Sequence, residues 1–295
     1  MGTLNNYSPL RYPGGKAAIA DTFSALLDAN GILKNGTYCE PFAGGAGVAL
    51  TLLLKKRVGR IIINDYDPCI VAFWMAIIKD GPKFIQRIKD IDVSIDEWVR
   101  QRKVYNGARR SDLCSRDRRF QIGFATFFLN RCNRSGILPN AGPIGGFRQE
   151  GKYLIDARFR KDVLCERIQI IYENRNNILV TSDDAEKFLD RLPGLVEEPK
   201  NTFLYLDPPY YERGNQLYLN FYGDDNHRSL AKKIAHFRFC PWVMTYDDCE
   251  SIRAIYGAYQ KLKLSALELM YSMQKVRKTK EILITPEFVK GVEND

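Results

Sequence analysis

Asp207-Pro208-Pro209-Tyr210 is the stretch whose residue types and order could do chemistry. An exocyclic amine on a nucleobase is a poor nucleophile, because its lone pair is conjugated with the ring. A carboxylate accepting one N–H and a backbone carbonyl accepting the other draw that nitrogen toward tetrahedral geometry and free the pair. Asp207 can supply the carboxylate and the Pro208 carbonyl the second acceptor. The paired prolines stiffen the turn that carries both. Tyr210 can stack on a base taken out of its helix. Taken alone, the four residues are equally well an acidic strand cap and a proline turn with Tyr210 at the surface.

A second candidate site opens on Pro41-Phe42-Ala43-Gly44-Gly45-Ala46-Gly47. It follows a predicted strand over 37–42 and precedes a predicted helix over 48–55, the opening of a nucleotide-type binding unit. The glycines let a ligand approach the backbone closely. Their spacing is not Gly-x-Gly-x-x-Gly, so a pyrophosphate is not the expected ligand. Asp65 ends the next strand, 60–64, where an acid is placed to accept ribose hydroxyls or to cap a helix. Asp183 and Asp184 end a further strand, 177–181. Asp183 reads as the N-cap of the helix that follows, and Asp184 is left open between a cap and a ligand contact. Near the start, Arg11-Tyr12-Pro13-Gly14-Gly15-Lys16 is a glycine-proline turn. Lys16 stands at a helix start, where the dipole does not favour a cation; taken alone, an ordinary loop lysine accounts for it.

Charge points to a third region. The 295 residues carry a net +9, yet residues 98–161 hold 15 Lys and Arg against four Asp and Glu. The whole surplus lies in that segment. Arg118 and Arg119 lie in its basic cluster, and Arg131, Asn133 and Arg134 in Asn130-Arg-Cys-Asn-Arg-Ser-Gly136. Arg and Asn are the types that hold phosphates and read purine edges. A solvated basic face is the plain alternative. Lys275, Arg277 and Lys278 form a second basic group, at the tip of a predicted hairpin with strands 266–272 and 281–285, able to touch a phosphate backbone.

These residues need elements to position them. Residues 203–206 are a short apolar run, the pattern of a buried strand. Strands and helices alternate over 37–79 and again over 177–285, which predicts a parallel α/β sheet. In such sheets ligands bind beyond the carboxyl ends of the strands, where Gly44, Asp65, Asp184 and Asp207 all fall. The expected division is 1–79 with 176–295 as one α/β domain and 80–175 as an insertion. Seven cysteines without Cys-x-x-Cys spacing suit reduced thiols in the cytoplasm. Two histidines and no ligand cluster give no reason to expect a metal. No leader and no membrane-spanning apolar run is read. A monomer is consistent with the chain, which carries no sign of its oligomeric state.

In combination the motifs resemble the D12 class of adenine-specific DNA N6-methyltransferases, which includes the Dam methylases. Tyr12-Pro-Gly-Gly-Lys16 is similar to the family's cofactor element, residues 41–47 to its glycine motif, Asp65 to its ribose-binding acid and Asp207–Tyr210 to its catalytic motif, in the family's order. The resemblance implies a seven-stranded, mostly parallel Rossmann-like sheet with its last strand antiparallel. It implies S-adenosylmethionine as cofactor, held by Tyr12, Lys16, Phe42, Gly44, Gly45, Gly47, Asp65, Asp184 and Asp207. It implies Asp207, Pro208 and Tyr210 as catalytic residues, double-stranded DNA as partner, base flipping, and a cytoplasmic, nucleoid-associated enzyme, with restriction-modification, host-genome and phage settings all open. Residues 131–158 depart from the pattern of GATC-specific members, which leaves the target sequence open. Methylation of RNA or of cytosine N4, and a DNA-binding protein without catalysis, are the alternatives.

Overall fold

The computed structural model describes residues 7–11, 20–211, 222–271 and 277–291. Tyr12, Lys16 and Lys275 lie outside the described residues.

Seven strands form one sheet in the order β3-β2-β1-β4-β5-β7-β6. They are β1 (Thr37–Glu40), β2 (Arg60–Asn64), β3 (Ile178–Thr181), β4 (Thr202–Leu206), β5 (Trp242–Asp247), β6 (Leu262–Tyr271) and β7 (Arg277–Pro286). Pairing is parallel from β3 through β5, and β7 runs antiparallel to both its neighbours. The Rossmann-like expectation therefore holds, including the reversed last strand. β4 is buried at all five positions, which is why it reads as a continuous apolar run rather than an alternation. The hairpin strands are longer than expected, so Arg277 and Lys278 stand in β7 rather than at a tip.

Helix α1 (Ala20–Ala29) comes before β1, and α2 (Gly47–Leu54) joins β1 to β2. The next helix, α3 (Pro68–Asp90), continues out of the sheet layers. It starts cleanly because Asp67 accepts the Cys69 amide at 2.8 Å and Pro68 occupies the first turn. Midway, Asp80 leaves helical geometry (φ −131°, ψ 31°), and Pro82 follows. Proline has no amide to give to the preceding turn, which accounts for the break. Helices α5 (Arg116–Cys132) and α6 (Lys161–Glu173) pack against α3, and α4 (Ile95–Asn106) packs against α5. Phe84, Phe120, Phe124 and Phe127 interlock there in edge-on and tilted pairs. One hydrophobic cluster runs from these rings through Phe73 and Trp74 to Tyr38, Phe203 and Tyr205 under the sheet. The other face of the sheet is covered by α7 (Ala185–Arg191), α8 (Asp224–Ala235) and α9 (Glu250–Gly257).

Strand order reverses between β1 and β4. The loops leaving their carboxyl ends turn to opposite faces, and a crevice opens there. The glycine turn leaves β1 and Asp207–Tyr210 leaves β4, so the fold brings the two strongest motifs to one crevice.

Candidate active site

The glycine turn is held by side chains from three directions. Gly44 adopts φ +45° and Ala46 φ +47°; the first is inexpensive for glycine alone. The Gly44 amide donates to Asp65 Oδ2 at 2.8 Å, and the Trp74 indole donates to the Gly44 carbonyl at 2.9 Å. Ser8 Oγ donates to the Gly45 carbonyl at 2.6 Å. Phe42 is half-buried, edge-on to Tyr222.

Asn64 was not singled out from sequence, yet it aligns three strand ends. Its Nδ2 donates to the Pro41 and Asp183 carbonyls, each at 2.9 Å. Its Oδ1 accepts from Thr181 Oγ1 and the Asp183 amide, each at 2.8 Å. A buried asparagine with every donor and acceptor used is rigid. Asp183, expected to be the N-cap, does not cap the following helix. It pairs with Arg191, and Asp184 makes the cap by accepting the Glu186 amide at 3.0 Å.

Two carboxylates at this edge are unusual. Glu40, at the end of β1, is buried and accepts the Ala49 amide at 3.1 Å. Burial pushes its pKa up to about 8. Asp65 also accepts the Asp67 amide at 2.9 Å. Burial, then the Asp67 charge, pushes its pKa up to about 7. Among the described residues no Lys or Arg pairs with either acid. Glu40 was missed from sequence because a lone acid before a proline looks like any strand end.

Asp207 follows β4 and is half-buried. The Thr245 hydroxyl donates to its Oδ1 at 2.9 Å, and Tyr205 Oη lies 2.8 Å from Thr245 Oγ1. Tyr210 Oη donates to Glu281 Oε1 at 2.5 Å, and Glu281 is buried in β7. The Tyr211 amide donates to Asp247 Oδ1 at 2.9 Å. The catalytic-type turn is thus fastened to β5 and β7. Pro208 is buried behind it. His227 is fully buried, with Nδ1 2.9 Å from Tyr246 Oη, and its ring lies 5.0 Å from that of Tyr211. Burial lowers its pKa, so it is a neutral packing group.

The basic segment divides on inspection. Asn133, expected to touch DNA, is fully buried. Its Oδ1 accepts the Trp98 indole at 2.8 Å and its Nδ2 donates to the Ile137 carbonyl at 2.6 Å. That expectation is corrected: Asn133 has no surface to offer a base. Arg131 donates through Nε to the Arg158 carbonyl at 2.8 Å, and burial and nearby Arg11 push its pKa down to about 9. Arg118 lies 3.5 Å from Asp112 and bonds Gln121, and Arg119 donates to the Leu113 carbonyl at 2.8 Å. Arg134 is exposed. Sequence reading missed the exposed aromatics Phe147 and Tyr153, which share their loop with exposed Arg148 and Lys152.

The N-terminal segment ties insertion and crevice together. Asn130, fully buried, accepts the Arg11 amide at 2.6 Å and donates to the Arg11 carbonyl at 2.8 Å. Gly136 packs against Arg11 with φ +75°, and a Cβ there would meet the Arg11 carbonyl at 2.6 Å.

Comparison with known proteins settles what such a crevice belongs to. The family described as D12 class N6 adenine-specific DNA methyltransferase matches residues 12–273. This chain belongs to that family. It is an adenine-specific DNA methyltransferase. It is 25% identical over 242 residues to the Type II methyltransferase M.MjaIII of Methanocaldococcus jannaschii, covering 76% of this chain and 77% of the relative. Among solved structures it is similar to the rRNA methyltransferase aviRa of Streptomyces viridochromogenes, at 13% identity and a TM-score of 0.35. That match covers 94% of this chain and 88% of the other, and a likeness so distant says nothing of substrate. Among the described residues of this methyltransferase no helix is long and apolar enough to cross a membrane, and no group of three or more His, Cys, Asp or Glu could hold a metal.

Proposed function

We propose that this methyltransferase uses S-adenosylmethionine to methylate N6 of an adenine flipped out of duplex DNA, at the crevice between β1 and β4. The observation that supports it is the junction of two motifs there: the glycine turn with Asp65 on one side, Asp207–Tyr210 on the other.

The residues fit that cofactor. Glu40 and Asp65 are acids held above their ordinary range beside the glycine turn. A ligand with a positive charge and a ribose diol satisfies such groups. Phe42, Gly44, Gly45, Gly47, Asp65 and Asp184 line the cofactor side in this reading, joined by Tyr12 and Lys16 from outside the described residues. S-adenosylmethionine bound there supplies an electrophilic methyl group.

The protein's part is positioning and charge. The flipped adenine stacks on Tyr210, whose ring is held by Glu281. Asp207 accepts a hydrogen bond from one N6–H and the Pro208 carbonyl from the other, so the lone pair turns out of conjugation toward the crevice. An ionised acceptor does this more strongly than the serine usual in cytosine-N4 enzymes. Residues 80–175 act as the target-recognition insertion, with Arg134 on its surface. The likeness to a Type II methyltransferase suggests a restriction-modification setting. Nucleoside mass spectrometry, after incubation with labelled S-adenosylmethionine and duplex DNA, single-stranded DNA or RNA, tests the reading. N6-methyladenine in duplex DNA is expected; N4-methylcytosine or methylation confined to RNA overturns it.

A further inference from the structure

Arg110 belongs to the insertion by sequence but bonds to the cofactor edge. It opens the short 3-10 turn Arg110–Cys114 between α4 and α5. Its Nη1 donates to the Ser182 carbonyl at 2.5 Å, beyond β3. Its Nη2 donates to the Tyr66 carbonyl at 2.5 Å, beyond β2. The guanidinium lies 4.3 Å from the centroid of the Tyr66 ring. Tyr66 adjoins Asp65, and Ser182 precedes Asp183 and Asp184. One side chain therefore clamps, from outside, the two loops that Asn64 joins from within.

The turn bearing Arg110 is itself secured. The Arg109 amide donates to Asp112 Oδ2 at 2.9 Å, Arg118 sits 3.5 Å from that carboxylate, and Arg119 donates to the Leu113 carbonyl. The two arginines expected to touch phosphate thus fix this turn to the first turn of α5. A planar fork reaching two carbonyls while stacking on a ring is a guanidinium geometry that an ammonium cannot copy.

We propose that Arg110 is a positioning residue for S-adenosylmethionine. It holds the Tyr66 and Ser182 loops at the spacing in which Asp65 and Asp184 engage the nucleoside, and so makes cofactor affinity depend on the insertion. This rests on the cofactor reading above.

The test is calorimetric titration of S-adenosylmethionine into the full chain and its Arg110→Ala, Arg110→Lys and Asp65→Ala variants, with steady-state kinetics on unmethylated genomic DNA and thermal unfolding. Arg110→Ala and Arg110→Lys should each raise Kd and the cofactor KM about tenfold or more, with kcat at saturating cofactor near wild type and an unchanged Tm. Wild-type Kd in both Arg110 variants, while Asp65→Ala has lost binding, overturns the inference and leaves the cofactor site standing. Wild-type Kd in Asp65→Ala removes the site itself and this proposal with it. A fall in kcat and Tm together, or full rescue by lysine, shows a merely structural or charge role and also overturns it.

Discussion

Thr245 has one hydroxyl proton, and it goes to Asp207. Tyr205 then donates to Thr245, so a side chain of β4 and one of β5 together aim a hydrogen bond at Asp207. Asp207→Ala should abolish methyl transfer while leaving cofactor affinity within a few-fold of wild type; turnover assays beside calorimetry check the split. Asp65 makes a pH prediction. Its raised pKa, about 7, means the free protein keeps a proton that the unfolded chain releases near its ordinary value, below pH 4. Stability without cofactor should therefore fall as pH rises from about 4 to about 7. A ribose diol needs the carboxylate, so cofactor affinity should rise through the same upper range and level off above it. Titrations at pH 6, 7 and 8 in buffers of different ionisation enthalpy should show proton release on binding that fades by pH 8.

Elements explain what could be read beforehand and what could not. The strands were legible because β2 and β4 are unbroken apolar runs, and Asp-Pro-Pro ends a strand whatever surrounds it. Gly44, Asp65 and Asp207 were legible because strand ends in such sheets lie along one edge. Asn133 misled because an Asn between two arginines looks the same whether its amide faces a base or the Trp98 indole; local sequence does not carry burial. Asn64, Glu281 and Thr245 were invisible because their partners lie far along the chain. The exposed loop, rather than buried Asn133, is therefore where DNA contacts are to be tested. Neutralising Arg134, Arg148 and Lys152 together should flatten the salt dependence of duplex binding, which for roughly 6–10 phosphate contacts amounts to about 10³–10⁵ in affinity between 50 and 200 mM salt. Asn133→Ala should leave that slope unchanged and cost about 1–3 kcal/mol of stability by stranding the Trp98 N–H. Binding isotherms at several salt concentrations, with denaturant melts of the same variants, separate the two effects.

At the scale of the molecule, sheet and insertion share one interior. Phe84 and Phe127 lie in the same cluster as Phe203 and Tyr205, and α3 runs through both parts. Scanning calorimetry should show a single unfolding transition with matching calorimetric and van't Hoff enthalpies; two resolved transitions would show that the insertion holds itself together. The break at Asp80 bears on inheritance. Residue 80 is where a recombination event would most simply splice in a foreign recognition segment, since the helix already bends there. But across that break Gly123 of α5 lies so close to Ala72 that an added Cβ would sit 2.5 Å from its carbonyl, and Phe127 of α5 stacks on Phe73 with ring centroids 6.0 Å apart. A donor segment must bring both partners with it. On the proposed recognition role of this region, new target preferences should therefore arise by drift of exposed loop residues such as Phe147 and Arg148, with the helices beneath inherited as a unit with the sheet.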